Sequence, residues 1–519
     1  MSAKVSIIVP VYNGIPYLKE CLGSAASQTY HDIEVIVIND GSTDDSKKII
    51  NEFTAADTRF KLFTQENHGL GYTRNRGISL SKGEFVFFLD ADDKIPKNAI
   101  QLLVEAIEKS QADFAAGKVV RFNKSRKYIP PRHLEFALYK TSKTTNIRQS
   151  PELIQDSIAC NKMWRKKFVI KHGLTFKENK YYEDLGFTLR AAVLAEKIEV
   201  LKDMVYQWRV REDENLPSIT QQQMTLLNTS DRLEALQENR DWLIQYQDDK
   251  NIRDQHDLKS LYDVIRLHVS KYSLVKVDER EQWKKVIVDY LKQIPKNIAE
   301  QLPEQEFTLY SLLMDNEEKE LHLFSEMLTH TEKTPLVKQT GNSFILQGFT
   351  REFNATKYLK LAMNVNEVTA SNQSWRLKGF LTVPKASKPV NGELVLKGRN
   401  SGEEIVIEEV KLDTMPNNHI YKEQEQKFVA GIDSAILKLL KKDKVYDLYY
   451  RLKEYYQYNN ARVRISFESQ NPLTIKTKGV NYTLYKSNYG NLSLKVENQS
   501  DQFKSVLKKI GQALKSKAD

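Results

Sequence analysis

Residues Gly83 to Asp93, Gly-Glu-Phe-Val-Phe-Phe-Leu-Asp-Ala-Asp-Asp, set the strongest constraint on how this chain can fold. Phe85 to Leu89 form an unbroken apolar run rich in aromatic and branched side chains, which predicts a short central strand covered on both faces. Carboxylates follow at once. If the pleat continues, Asp90 and Asp92 project to one side and Asp93 to the other. Two convergent acids at a strand exit can hold a hard divalent cation by its oxygens. In open α/β sheets the crevice beyond the strands' carboxyl ends is also where ligands bind. The alternative is that Asp90 to Asp93 are turn and cap residues leading to a helix near Pro96.

The preceding chain supports a parallel sheet. Strands are expected at Val5 to Pro10, Glu34 to Asn39 and Phe60 to Phe63, with helices at about Pro16 to Gln28, after Asp44, and from Gly71 to Leu80. Ser42 or Thr43 is a candidate cap for the second helix. Strands alternating with helices indicate βαβ units. No Gly-x-x-x-x-Gly-Lys-Ser/Thr loop is present, Gly69-Leu70-Gly71 lacks the third glycine of a dinucleotide fingerprint, and no His-Glu-x-x-His pair occurs. ATPase, dehydrogenase and zinc protease readings lose support accordingly.

At 519 residues the chain is too long for one core. A strand is expected already at Val5, so no signal peptide is expected, and no apolar run approaches the ~20 residues that span a bilayer. Cys21 and Cys160 are the only cysteines, which leaves neither a disulfide framework nor a cysteine zinc site and predicts a reducing cytoplasm. The formal charge of +10 favours an anionic partner.

Val5 to Asn13, Asn39-Asp40-Gly41-Ser42-Thr43-Asp44, Asn67 to Ile78 with its Thr-Arg-Asn-Arg-Gly-Ile core, and Asp90-Ala91-Asp92-Asp93 together resemble the family 2 inverting glycosyltransferases of GT-A fold, over about the first 220 residues. The resemblance implies that Asp40 reads the uracil of a UDP-sugar, that Pro10 and Tyr12 flank the base, and that Arg74 contacts the nucleotide. It implies Asp90 on the ribose side and Asp92 on a magnesium or manganese ion at the diphosphate. Asn39 stands where many relatives carry a first Asp. Tyr181-Tyr182-Glu183-Asp184-Leu185 resembles the family's acidic pair, which makes Asp184, beside Glu183, the base for the acceptor hydroxyl; the alternative is that both acids cap the following helix. Arg209, Arg211 and Ser218 fall where relatives close a segment over the diphosphate, although for either arginine taken singly an exposed surface position is the more ordinary expectation. Lys124, Arg126 and Lys127 are candidate contacts to a polyanionic acceptor.

After Gln221 the spacing turns helical. Leu258, Leu261, Ile265, His268 and Tyr272 share one face, as do Trp283, Val286, Tyr290 and Ile294, and both read as core stripes. From Phe344 the period is two, with strands expected at Trp375 to Val383, 393–397, 404–410, 446–452, 462–467, 482–485 and 492–496. The resulting expectation is a GT-A catalytic domain at 1–220, a Rossmann-like mixed sheet with flanking helices; a helical linker at 221–333; an antiparallel, immunoglobulin-like β-sandwich at 334–498; and a basic amphipathic tail at 499–519. Phe503, Val506, Leu507, Ile510 and Leu514 give that tail an apolar stripe among lysines, suited to an anionic membrane or to docking on protein. This order of domains resembles the Gram-positive wall teichoic acid glycosyltransferases. It implies a UDP-sugar donor of hexose or N-acetylhexosamine type, a teichoic acid or other anionic polysaccharide acceptor, no nucleic acid partner, homo-oligomerisation through the carboxyl-terminal module, and action at the inner face of the cell membrane. The competing readings are an exopolysaccharide or capsule glycosyltransferase, a sugar nucleotidyltransferase, and a wall-polymer-binding scaffold with an inactive GT-A domain.

Overall fold

The computed structural model describes residues 4–123, 126–211, 224–246 and 249–329, and beyond them 337–340, 343–346, 349, 352–355, 362–371, 373–383, 392–410, 424–441, 443–452, 460–465, 473–477, 479–487 and 490–498. It comprises two compact units, Met1–Glu326 and Met327–Asp519.

The first unit is built on strands β1 (Val5–Val11), β2 (Ile33–Asp40), β3 (Phe60–Gln65), β4 (Phe85–Phe88), β5 (Phe114–Phe122), β6 (Lys127–Tyr128), β7 (Lys143–Thr145), β8 (Lys162–Arg165) and β9 (Ile198–Arg209). They form one sheet in the order β3-β2-β1-β4-β8-β5-β9-β7, with β6 on β5. Every residue of β1, β2 and β4 is buried, as continuous apolar runs require when helices cover both faces. β1 lies parallel to β2 on one side and to β4 on the other, so the order reverses at β1 and a crevice opens at the strands' carboxyl ends. β8 runs antiparallel to both β4 and β5, which makes the sheet mixed.

Helices α1 (Ile15–Ala26), α2 (Ser46–Ala56), α3 (Gly69–Leu80) and α4 (Ala99–Ser110) follow the first four strands. The second helix begins later than the capping expectation needs. Ser42 and Thr43 do not cap it: Ser42 Oγ accepts from Asn13 N–H at 3.0 Å and Thr43 N–H donates to Asn13 Oδ1 at 2.9 Å. The two loops leaving β1 and β2 are thereby stitched together. The pleat argument for the acids also needs correction, since β4 ends at Phe88 and Asp93 N–H closes a turn on Asp90 O at 3.0 Å.

Helices α5 (Pro131–Glu135), α6 (Lys166–Lys171), α7 (Asp184–Leu194), α8 (Leu226–Tyr246), α9 (Lys250–Leu267), α10 (Arg280–Leu291), α11 (Lys296–Ala299), α12 (Glu304–Met314) and α13 (Glu318–Thr329) complete the order. The helical stretch through α12 falls in the same compact unit as the sheet, and the boundary between the units lies within α13. Leu258, Leu261, Ile265, His268 and Tyr272 are buried, and His268 Nδ1 pairs with Thr229 Oγ1 at 3.0 Å. On α10 Trp283 and Tyr290 are buried, while Ile287 takes the fully buried place expected of Val286, which is half-buried.

The second unit is strand-rich: a hairpin, Val337–Thr340 with Ser343–Leu346, and a ten-stranded hydrogen-bonded system among the described residues. The expected strands recur at Trp375–Val383, Gly392–Gly398, Glu404–Val410, Val445–Leu452, Asn460–Ile465, Val480–Lys486 and Leu492–Asn498. Strands Ala362–Ala370, Gln424–Ile432 and Leu473–Thr477 were not anticipated. The system is not purely antiparallel, because Ala362–Ala370 runs parallel to Asn460–Ile465 with Met363 opposite Val463. The tail at 499–519 lies outside the described residues.

Candidate active site

Asp40 ends β2 and is 3% exposed. Its Oδ1 accepts from Gln65 Nε2 at 2.6 Å and His68 N–H at 2.9 Å, and its Oδ2 accepts from Gly69 N–H at 2.9 Å. The carboxylate thus satisfies otherwise orphaned amides at the positive end of α3. A carboxylate offers about four acceptor positions, so these bonds orient the group without saturating it. Pro10 is buried within β1, whereas Tyr12 is 54% exposed on the loop beyond it.

α3 carries the Thr-Arg-Asn-Arg core, and its side chains face several elements. Thr73 Oγ1 bonds Gly69 O at 2.8 Å, while Asn75 pairs with the backbone of Phe176 through Nδ2 at 2.9 Å and Oδ1 at 2.8 Å. Gly71 is required here, because a Cβ would sit 2.0 Å from Lys177 O. Arg74, 2% exposed, donates from Nη2 to Asp90 Oδ1 at 2.7 Å and from Nη1 to Glu183, with its guanidinium 5.3 Å from the Phe176 ring centre. Burial works against the Arg74 charge, but Asp90, Cys160 and Glu183 hold it firmly protonated.

The acidic turn is fixed by β9. Tyr206 Oη donates to Asp93 Oδ2 at 2.8 Å and accepts from Asp90 N–H at 3.2 Å. Arg209 N–H donates to Asp93 Oδ1 at 2.6 Å, and Arg209 Nε to Asp92 O at 2.6 Å. Burial, then the neighbouring Asp92 and Asp90, push the Asp93 carboxyl well above its usual range. Asp92 is also raised, by burial and by Asp90 against the opposing charge of Arg211, whose Nε and Nη2 each lie 2.8 Å from Asp92 Oδ2. Neither arginine is an exposed surface group. Arg209 lies between the Tyr17 and Phe122 rings, 4.7 and 4.5 Å from their centres, and pairs with Glu20.

Among the described residues no three His, Cys, Asp or Glu side chains gather as a metal cage. A single carboxylate plus substrate phosphates is nevertheless an arrangement that magnesium accepts. Asp92 fits it: its carboxylate stands at the exit of β4 beside Asp90, with Arg211 on Asp92 and Arg74 on Asp90.

Glu183 and Asp184 open α7, but neither makes a side-chain cap bond. Glu183 is held by Arg74. For the carboxylate of Asp184, by contrast, no hydrogen bond or ion pair is found among the described residues. Burial, then Glu183, raise its pKa to about 7, against Arg74. The two acids are therefore distinct: Glu183 is paired with Arg74, and Asp184 has no partner among the described residues.

Arg126 and Lys127 are exposed, with Arg126 4.7 Å from the Tyr128 ring centre; Lys124 and Ser218 lie outside the described residues. A groove of about 550 Å³ lies between the 175–183 loop and α8. Its acids, Glu178, Glu183, Asp231, Glu234 and Glu238, outnumber Lys177, Lys180 and Arg190, and it excludes Asp90 and Asp92, so it is no cradle for a polyanion. Sequence reasoning gave no role to Tyr206, three residues before Arg209, or to Tyr17, which meets Arg209 only in the fold.

A mixed sheet with helices on both faces and an acidic turn at the exit of a central strand is a GT-A-like domain. Residues 6–173 match the model of Glycosyl transferase family 2, and residues 357–496 match TarS beta-glycosyltransferase C-terminal domain 1. The chain thus carries a family 2 glycosyltransferase domain, followed by a domain of the TarS carboxyl-terminal type. Glycosyltransferase GlyA of Streptococcus pneumoniae is 35% identical over 40% of this chain and 31% of its own length. Poly(ribitol-phosphate) beta-glucosyltransferase of Bacillus spizizenii is 30% identical over 40% of this chain and 33% of its own. The chain therefore spans about a third of each of these relatives. Crystalline S. aureus TarS shares the fold with a TM-score of 0.54 at 19% identity, covering 96% of this chain and 86% of that one. TarS 1-349 in complex with UDP-GlcNAc gives 0.53 at 22% identity over 68% of this chain and 98% of that one. No helix among the described residues is long and apolar enough to cross a membrane.

Proposed function

We propose that this protein is an inverting glycosyltransferase that moves a sugar from UDP to a hydroxyl of an anionic wall polymer, a teichoic acid, at the inner face of the cell membrane. The observation that carries the reading is the unpaired Asp184 carboxylate beside the Arg74–Glu183 pair, with a pKa near the pH at which a general base works best. Asp184 takes the proton of the acceptor hydroxyl as its oxygen attacks the anomeric carbon from the face opposite the diphosphate. The bond from that carbon to the phosphate oxygen breaks, UDP leaves with the electron pair, and the configuration inverts.

Asp40, held against α3, keeps an acceptor position for the uracil N–H, with Pro10 and Tyr12 beside the base and Asp90 toward the ribose. Asp92 would hold magnesium or manganese, which when bound neutralises charge on the departing diphosphate. Arg211 and Arg209, with Ser218, supply further positive and polar groups. The UDP-GlcNAc held by TarS supports a UDP-sugar donor, and the TarS-type module favours a wall polymer over a capsule polysaccharide. The same module is the proposed site of self-association. The decisive experiment offers a panel of UDP-sugars with manganese and purified teichoic acids; no UDP release and no transfer with any of them removes the proposal.

A further inference from the structure

Tyr182, immediately before the acidic pair, has φ of +61°, a conformation costly for a residue with a bulky side chain. Such a backbone persists only where its surroundings over-determine it, and here one helix supplies several of the constraints. Tyr182 Oη donates to Asn228 Oδ1 at 2.6 Å, and the Arg232 guanidinium lies 3.7 Å from the Tyr182 ring centre. Tyr181 N–H donates to Asp231 Oδ2 at 3.1 Å, Lys180 Nζ to Asp231 Oδ1 at 2.9 Å, and Asn239 Nδ2 to Leu185 O at 3.2 Å. Asn228, Asp231, Arg232 and Asn239 all belong to α8.

Arg232 is itself buried and held from behind. Asp263 Oδ2 on α9 lies 3.2 Å from Arg232 Nη1 and 2.6 Å from Lys259 Nζ, and Asp263 Oδ1 pairs with Arg132 of α5. An ion cluster whose Arg232, Lys259 and Asp263 are buried thus backs the loop that presents Asp184.

Resting on the glycosyltransferase reading above, we propose that α8 belongs to the catalytic apparatus, with Arg232 acting through Tyr182 as a positioning residue for Asp184. The acceptor hydroxyl must meet a base fixed to within a fraction of an ångström, and a loop released from α8 no longer presents one. α3 also holds the stretch before α7, through Arg74 on Glu183 and Asn75 on Phe176, but those bonds involve no residue of α8.

The test compares wild type with Arg232→Lys and Arg232→Ala. Lysine keeps a cation for Asp263 but cannot lie flat over the ring. Arg232→Lys is expected to keep the wild-type melting temperature and a donor KM within about two-fold, yet lose kcat by roughly 100-fold. Arg232→Ala loses at least as much kcat at the same donor KM. Amide exchange across 180–185 quickens in both variants and stays unchanged in β1 and β4. Wild-type kcat in Arg232→Lys, or a kcat loss that merely follows melting temperature across the pair, overturns the inference. A wild type that transfers no sugar removes the glycosyltransferase reading and with it the catalytic role of α8; unchanged exchange across 180–185 refutes the anchoring itself, whatever the activity.

Discussion

Nη2 of Arg74 lies 2.7 Å from Asp90 Oδ1 while the other terminal nitrogen of the same guanidinium is held by Glu183. One buried cation therefore joins the acidic turn after β4 to the start of α7. Removing it strands two carboxylates, one of them almost wholly buried. Arg74→Met is expected to lower unfolding free energy by roughly 3–5 kcal/mol in urea titrations. Adding Glu183→Gln recovers part of that loss, and Arg74→Lys, which cannot span both acids, behaves more like the methionine variant than like wild type.

Asp184→Asn leaves the Arg74–Glu183 pair in place and removes only the available base. Transfer is expected to fall by about 10²–10⁴-fold while UDP-sugar affinity by calorimetry stays within about two-fold of wild type. Transfer at the wild-type rate in this variant excludes Asp184 as the base.

The raised pKa of Asp184 sets the sign of two pH effects. The reactive form is the carboxylate, so kcat should climb with pH and level off above about 7. Stability runs the other way. From the ordinary carboxylate pKa up to about 7 the unfolded chain holds fewer protons at this position than the native one, so folding is progressively penalised as pH rises and fully so above about 7. Asp184→Asn should therefore raise the melting temperature at pH 8 and lose that advantage at pH 4.

Asp92 is the candidate metal ligand and Arg211 its partner in the ligand-free chain. Calorimetry of UDP with and without manganese checks this. Wild type should bind more tightly with the metal, and Asp92→Ala should bind equally in both conditions, since one missing carboxylate leaves no protein ligand for the ion.

Part of the first unit was legible because β1, β2 and β4 are dominated by apolar side chains. β1 and β2 need no partner information to be recognised as buried. The motif residues were legible as a set, but their bonds were not: that Asp40 grips α3, or that Arg209 braces the acidic turn, depends on elements distant in sequence. α9 shows the limit most clearly. Lys259 and Asp263 look like a solvent-facing pair four residues apart, yet both are buried because Arg132 and Arg232 arrive from other helices. In the second unit, strand Gln424–Ile432 escaped notice because Gln424 to Lys427 is wholly polar or charged and offers no alternation.

The parallel pairing of Met363 with Val463 governs how the second unit is made. An early strand there must wait for one synthesised much later, and until it emerges Ala362–Ala370 has its hairpin partner on one side only. Loop closure over so long a span is slow. The nascent chain consequently passes through an interval with an uncovered edge, when chaperone capture or pairing with a neighbouring polypeptide competes with completion of the sheet.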